Sequence, residues 1–207
     1  MLLNLFWMVR IFTGKAPILK AVARAVENHE RQGFVPLANA MYRAMASSNG
    51  VGLAAPQVGE LVRLFVMQPS RTVAPIIAIN PKVLRRSKDR TVEWESCLSV
   101  PDHSGLVERP ERVEVEYQTA VGNQEPIRQV LKGDAARIFQ HELDHLDGIL
   151  YTSKMIPESF SHVSALTRDA DYREALEQRA IRAERRRQGI PEDDEGLNID
   201  IQLPARG

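Results

Sequence analysis

His141, Glu142 and His145 stand in the stretch QHELDHLDG (140–148) as an H-E-x-x-H pattern. On an α-helix, residues four apart lie one turn above each other on the same side. Two imidazoles at that spacing can hold one metal ion, and the glutamate beside the first can act as a base on a nearby water. Asp134 reads as an N-cap and Gly148 as the C′ residue, which gives a helix over about 135–147. At about 100° per residue, Ala135, Ala136, Phe139, Leu143 and Leu146 form an apolar arc. Arg137, Gln140, Asp144 and Asp147 form a polar arc, and the two histidines mark a boundary between them. Glu142 falls on the apolar side near Ile138 and Leu146, where an uncompensated carboxylate is costly. A metal ion with a bound water would compensate it. The same pattern also fits an amphipathic helix with two half-buried histidines.

A catalytic metal site usually has three protein ligands and one open position. In HExxHxxGxxH a third histidine completes the set, but Tyr151 stands at that place. Glu158 is too near the motif, and Glu174, Glu177 and Glu184 fall on a stretch that reads as a solvated helix. Cys97 lies 44 residues before His141 (141 − 97), in EWESCLSVP (93–101). Its thiolate suits a soft or borderline divalent ion, yet the residue fits a buried structural cysteine equally well. The residues alone leave the third ligand open.

The elements that must position these groups are short. Stretches 17–30 and 36–48 read as helices, the second ending at Asn49-Gly50. After the glycine-rich GVGLAAPQVG (50–59), strand signals follow at 63–68, 73–80, 81–84, 91–94, 112–117 and 127–131. RVEVEY (112–117) alternates cleanly, so one of its faces should meet solvent. Helix, then strands, then helix argues for an α+β fold. The expectation is short, mostly antiparallel strands around a central HExxH helix, with an N-terminal helical segment and a C-terminal helix. Residues 169–188 are rich in Arg and Glu and read as a solvated helix with a thin seam of Tyr172, Leu176 and Ala180. Arg185-Arg186-Arg187 could meet ribosomal RNA or simply solubilise the helix. The expected organisation is a catalytic domain over 1–160, a charged C-terminal helix over 161–188 and a disordered tail over 189–207.

The chain has 207 residues, 43% of them hydrophobic, and a formal net charge of zero. That fits one globular domain with tails, and argues against a protein whose main business is nucleic acid, DNA included. A single cysteine excludes an intrachain disulfide. The apolar run 2–9 (LLNLFWMV) is too short to span a bilayer, and no cleavage pattern of a secretory signal follows it. Arg10, Lys15, Lys20 and Arg24 follow with no acid before Glu27. A remnant organellar presequence is therefore the alternative to a segment packed on the core. The cytoplasm is the first expectation for location, with mitochondrion or plastid second.

Three separated blocks resemble one family. GVGLAAPQ (50–57), ESCLS (95–99) and QHELDHLDG (140–148) match the motifs of the peptide deformylases in order and approximate spacing, over roughly residues 9–155. The one departure is Ser96, where the family carries glycine. A glycine there could serve a positive φ or a close approach, so serine puts loop geometry and substrate preference in question. The resemblance implies hydrolysis of the N-formyl group from the initiator methionine of new polypeptides, with release of formate. It implies Cys97, His141 and His145 as metal ligands, Glu142 as proton carrier, and the Gln57 amide and Leu98 backbone N–H as donors to the formyl oxygen. Gly50, Val51 and Gly52 would contact the substrate, together with residues around 103–106. The ion would be iron(II), with zinc, nickel or cobalt as other occupants of such a donor set. The partners would be N-formyl-Met nascent peptides, and the ribosome through the arginine-rich helix, with no membrane. Glu95 and Arg109 are candidates for a supporting charge pair. Two competing readings are an HExxH metallopeptidase that cuts internal bonds and a catalytically weak, ribosome-associated deformylase-like protein.

Overall fold

The structure, a computed structural model, describes residues 9–121 and 125–190. The apolar run 2–9 falls outside these residues except for Val9, and the expected tail falls outside them from 191 onward. The described residues form two compact units, one within 1–87 and 111–150, the other within 88–110 and 151–207.

In the first unit, helix α1 (Val35–Ser47) precedes β1 (Gly52–Ala54), β2 (Leu64–Met67), β3 (Ile76–Arg86), β6 (Arg112–Gln118), β7 (Ile127–Lys132) and helix α2 (Gly133–Leu146). Among the described residues the strands form one antiparallel sheet in the order β1-β2-β3-β6-β7. RVEVEY alternates as expected: Val113, Val115 and Tyr117 are buried, while Arg112 is exposed and Glu114 and Glu116 are half-buried. The three buried residues join Phe65, Met67 and Ala78 and, from α2, Ala136, Phe139 and Leu146 in the unit's core. Phe139 meets Phe65 edge to face at 5.0 Å, and burying such a side chain contributes roughly 1.5–3 kcal/mol.

Four details of this unit differ from the sequence reading. Stretch 17–30 is not a helix beyond the single 3-10 turn Pro17–Lys20. Its backbone bonds elsewhere: Ala23 N–H donates to Leu146 O at 2.9 Å, Arg24 N–H to Leu61 O at 3.0 Å, and Val26 N–H to Asn80 Oδ1 at 2.9 Å. The strands expected at 73–80 and 81–84 are one strand, β3, whose register shifts between Ile79 and Lys82. Asn80 takes φ +50° there, and the bulge accommodates Pro81, which has no N–H to donate. At the start of α2 the cap position is Lys132, and Asp134 sits in the first turn, where its charge still favours the helix N-terminus. The polar arc of α2 is largely interior, with Arg137, Gln140 and Asp144 all buried. Gly148 does close α2 as the C′ residue, at φ +72°. A Cβ there would lie 2.5 Å from Lys20 O, so backbone packing demands glycine as well.

The second unit holds β4 (Arg90–Cys97), β5 (Val100–Pro110), β8 (Ser161–His162), α3 (Val163–Arg168) and α4 (Ala170–Arg187). Its antiparallel sheet runs β4-β5-β8. The strand β5 has no strand-like composition (VPDHSGLVERP), but a tight turn at Leu98-Ser99 returns it along β4 from Cys97↔Val100 to Arg90↔Pro110. Helix α4 is capped by Asp169, whose side chain accepts from Tyr172 N–H at 2.8 Å. Tyr172 is exposed, and the buried seam is Glu177 and Ala180. Glu177 is no solvated residue: it accepts from the Trp94 indole N–H and from Arg173 at 3.0 Å. The chain is therefore a mixture of helices and antiparallel sheet, α+β as expected, and no described helix is long and apolar enough to cross a membrane.

Candidate metal centre

Cys97 ends β4 and enters the turn at Leu98-Ser99. The residue is buried beside Val107 and Tyr151, and its sulfur accepts from Ser99 N–H at 3.4 Å. That bond closes the turn onto the sulfur. Tyr151, at the position of the missing third histidine, is packed against the cysteine and donates its hydroxyl to His103 O at 3.1 Å. Burial, and then the Cys97 and Glu95 charges, push the Tyr151 phenol well above its ordinary range, so it stays a neutral donor.

His141 and His145 lie one turn apart on α2 with ring centroids 5.0 Å apart. His145 is buried and His141 half-buried. Cys97, His141 and His145 each offer one ligand atom, and these atoms all lie within 4.8 Å of one another. One sulfur and two imidazole nitrogens at that separation suit a single borderline divalent ion, with bonds of about 2.0–2.3 Å and a fourth position left open. The donor set thus fits a catalytic metal, and no other such group of three occurs among the described residues.

Residues 8–160 match the polypeptide deformylase family. The chain belongs to that family. The deformylase of Finegoldia magna is 38% identical over 154 residues, which cover 74% of this chain and 93% of the relative. A crystal structure of the deformylase from Thermotoga maritima superimposes with a TM-score of 0.67 at 38% identity, covering 72% of this chain and 97% of that one. The class I type b deformylase of Acinetobacter baumannii bound to Met-Ala-Ser gives 0.66 at 37% identity, covering 71% and 98%.

The other residues singled out in the deformylase motifs take defined places. Glu142 is 4% exposed on α2. Gln57 is buried in the 3-10 turn Ala55–Val58 that follows β1. Its Oε1 accepts from Ala54 N–H at 2.8 Å and its carbonyl from Phe12 N–H at 2.7 Å. The first of these bonds fixes the amide with its oxygen toward Ala54 and its NH2 at the opposite end. Leu98 is half-buried in the turn after Cys97. Gly50 donates its N–H to Met45 O at 2.9 Å, Val51 is exposed, and Gly52 opens β1 at the edge of its sheet.

Two expectations around Cys97 change. Ser96 does not stand at positive φ, so its backbone is ordinary for a non-glycine residue. It is exposed, and its hydroxyl lies 2.5 Å from that of Ser104, directly opposite on β5. Leu106 packs in the core with Val92, Ile156 and Ala180 and is not open at the surface. The charge pair is present: Arg109 Nε and Nη2 donate to the two Glu95 oxygens at 2.5 and 2.8 Å, with both side chains 4% exposed. Breaking one side of a buried pair leaves a desolvated charge behind, at about 3–5 kcal/mol. Glu95→Ala should therefore lower stability by that amount in urea denaturation. A loss under about 1 kcal/mol would mean that Arg109 finds equal compensation elsewhere.

Two features lie outside the sequence reading. The Ser99 N–H bonded to Cys97 sulfur is legible in principle, since a residue two beyond an acceptor in a tight turn commonly donates back to it. The closeness of Gly52 to Glu142 is not, because 90 residues separate them (142 − 52).

Proposed function

We infer that this chain is a metal-dependent peptide deformylase, which hydrolyses the N-formyl group of the initiator methionine and releases formate. The observation that carries the reading is the Cys97, His141 and His145 donor set, drawn within 4.8 Å in a chain of the deformylase family. These three residues would hold the ion, for which we propose iron(II) ahead of zinc, nickel or cobalt. The ion when bound would supply Lewis acidity toward a water and the formyl oxygen.

Glu142 takes the proton of the attacking water and delivers it to the leaving amine. Its burial on α2, which keeps bulk water from the carboxylate, supports this role. The Gln57 NH2 and the Leu98 backbone N–H donate to the charge that grows on the formyl oxygen. The bond from Ala54 N–H to Gln57 Oε1 supports the donor role by preorganising the amide. Gly50, Val51 and Gly52 lie along the substrate peptide, which adds to β1 as a further strand; the edge position of β1 supports this. Met-Ala-Ser, bound to the Acinetobacter relative, has the form of the deformylated product, and we take such peptides as the substrate class here.

The catalytic part is residues 1–160, to which the family match at 8–160 corresponds, and 161–188 serves as a charged appendage. A ribosomal contact through this appendage would use the Arg185-Arg186-Arg187 cluster, of which Arg187 also holds Glu158 at 2.9 Å and Glu184 at 2.8 Å. A reducing compartment in which formylated chains emerge, the cytoplasm first, would protect the Cys97 thiolate.

The test is formate release from formyl-Met-Ala-Ser by anaerobically purified, iron(II)-loaded protein. Stoichiometric formate and free Met-Ala-Ser are expected. No release would defeat the enzymatic reading, and cleavage of an internal bond would favour a metallopeptidase.

A further inference from the structure

Gly52 is the second glycine of GVGLAAPQ, and conformation does not explain it. Its φ is not positive, unlike that of Gly14, Gly59, Gly133, Gly148 and Gly189. It opens a strand, where glycine costs roughly 0.5–1 kcal/mol relative to alanine. What the position lacks is room. A Cβ built there would lie 2.1 Å from Glu142 Oε1, 2.7 Å from Cδ and 2.9 Å from Cγ. The carboxylate of Glu142 thus occupies the space that any side chain at 52 would fill.

We propose that Gly52 is a positioning residue for Glu142, setting where the proton-carrying carboxylate stands. The inference rests on the deformylase reading above and deepens it, since Gly52 there served only as a peptide contact. The three atoms nearest to such a Cβ all belong to the far end of a flexible side chain. The cheap response to a methyl group is therefore rotation of the Glu142 carboxylate away from β1, with the backbone left in place. Such a swing displaces the base and leaves the fold, the metal donors and the peptide-binding edge intact. The same three-residue strand carries Ala54, whose N–H orients Gln57. One short edge strand would then hold both the proton carrier and an oxyanion donor in register.

Gly52→Ala tests this, with Gly33→Ala as a blank, because a Cβ at Gly33 meets nothing within 4 Å. Once the wild type has been shown to release formate, kcat should fall about 10- to 100-fold. KM, metal content and melting temperature should stay near wild type. A rise in KM with kcat unchanged would overturn the proposal in favour of a simple peptide contact, and loss of metal or of folding would overturn it in favour of a structural role. Glu142→Ala supplies the second arm, because it removes Cγ, Cδ and Oε1, the three atoms nearest to the added methyl group. With no carboxylate left to displace, the double variant should be no slower than Glu142→Ala alone, well short of the product of the two single losses. Fully multiplicative losses would show that the two residues act independently and would overturn the proposal. A wild type that releases no formate would instead sink the deformylase reading itself, whatever the variants do.

Discussion

Glu142→Gln should retain a full complement of metal and a native melting temperature while losing about 10²- to 10⁴-fold in kcat, the range that a general acid–base group supplies. Glutamine keeps the shape of the side chain and both of its polar ends, so the packing against Gly52 survives. What it cannot do is accept a proton from water. Glu142 is 4% exposed, and a carboxylate at that depth is costly unless compensated. The amide should therefore be no less stable than the acid in the metal-free protein. Metal analysis, thermal melting and formate release on one preparation separate the effects. If kcat stays within about tenfold of wild type, another group carries the proton. If metal is lost with activity, Glu142 supports the ion and its catalytic assignment fails.

How much of this is legible in the residues depends on distance along the chain. Local signals work where the backbone is bonded locally. Stretch 36–48 is α1 within one residue, and RVEVEY is a strand with one buried face. They fail where backbone groups bond to remote partners. Stretch 17–30 has helix-like composition, yet its N–H groups go to Leu146, Leu61 and Asn80. β5 has the composition of a loop and becomes a strand because the Leu98-Ser99 turn lays it on β4. Glu177 reads as solvated because charge on a helix usually is, and only the indole of Trp94, 83 residues away, shows otherwise. At the site, the spacing of His141 and His145 carries its own geometry. Cys97 can be reached only through the resemblance of three blocks, since no periodicity links a β-turn cysteine to a helix 44 residues later (141 − 97). Ser96 reads as a threat to backbone geometry, but its φ is ordinary, and the hydroxyl spends itself on Ser104.

Cys97→Ala should cost the protein its metal. Two imidazoles on one helix remain, and a pair of neutral nitrogens binds a divalent ion far more weakly than the same pair with a thiolate. Loss of an outer-shell partner already costs roughly 10- to 100-fold in metal affinity, so loss of an anionic ligand should exceed about 100-fold. Bound metal after dialysis should drop from one equivalent to near zero, and formate release should drop with it. The fold itself should hold. Cys97 packs against Val107 and Tyr151, and trimming one sulfur from that contact opens a cavity smaller than a methylene-rich side chain leaves, at about 1 kcal/mol. The metal-free wild type and the metal-free variant should therefore melt within a few degrees of each other. Added iron(II) or zinc should raise the melting temperature of the wild type alone, because only an ion that binds the folded state stabilises it. Were the variant to keep its metal and its activity, Cys97 would be a packing residue and the third ligand would have to be sought elsewhere. Were it to unfold without metal while the wild type does not, the thiol would be structural, and its partnership with His141 and His145 incidental.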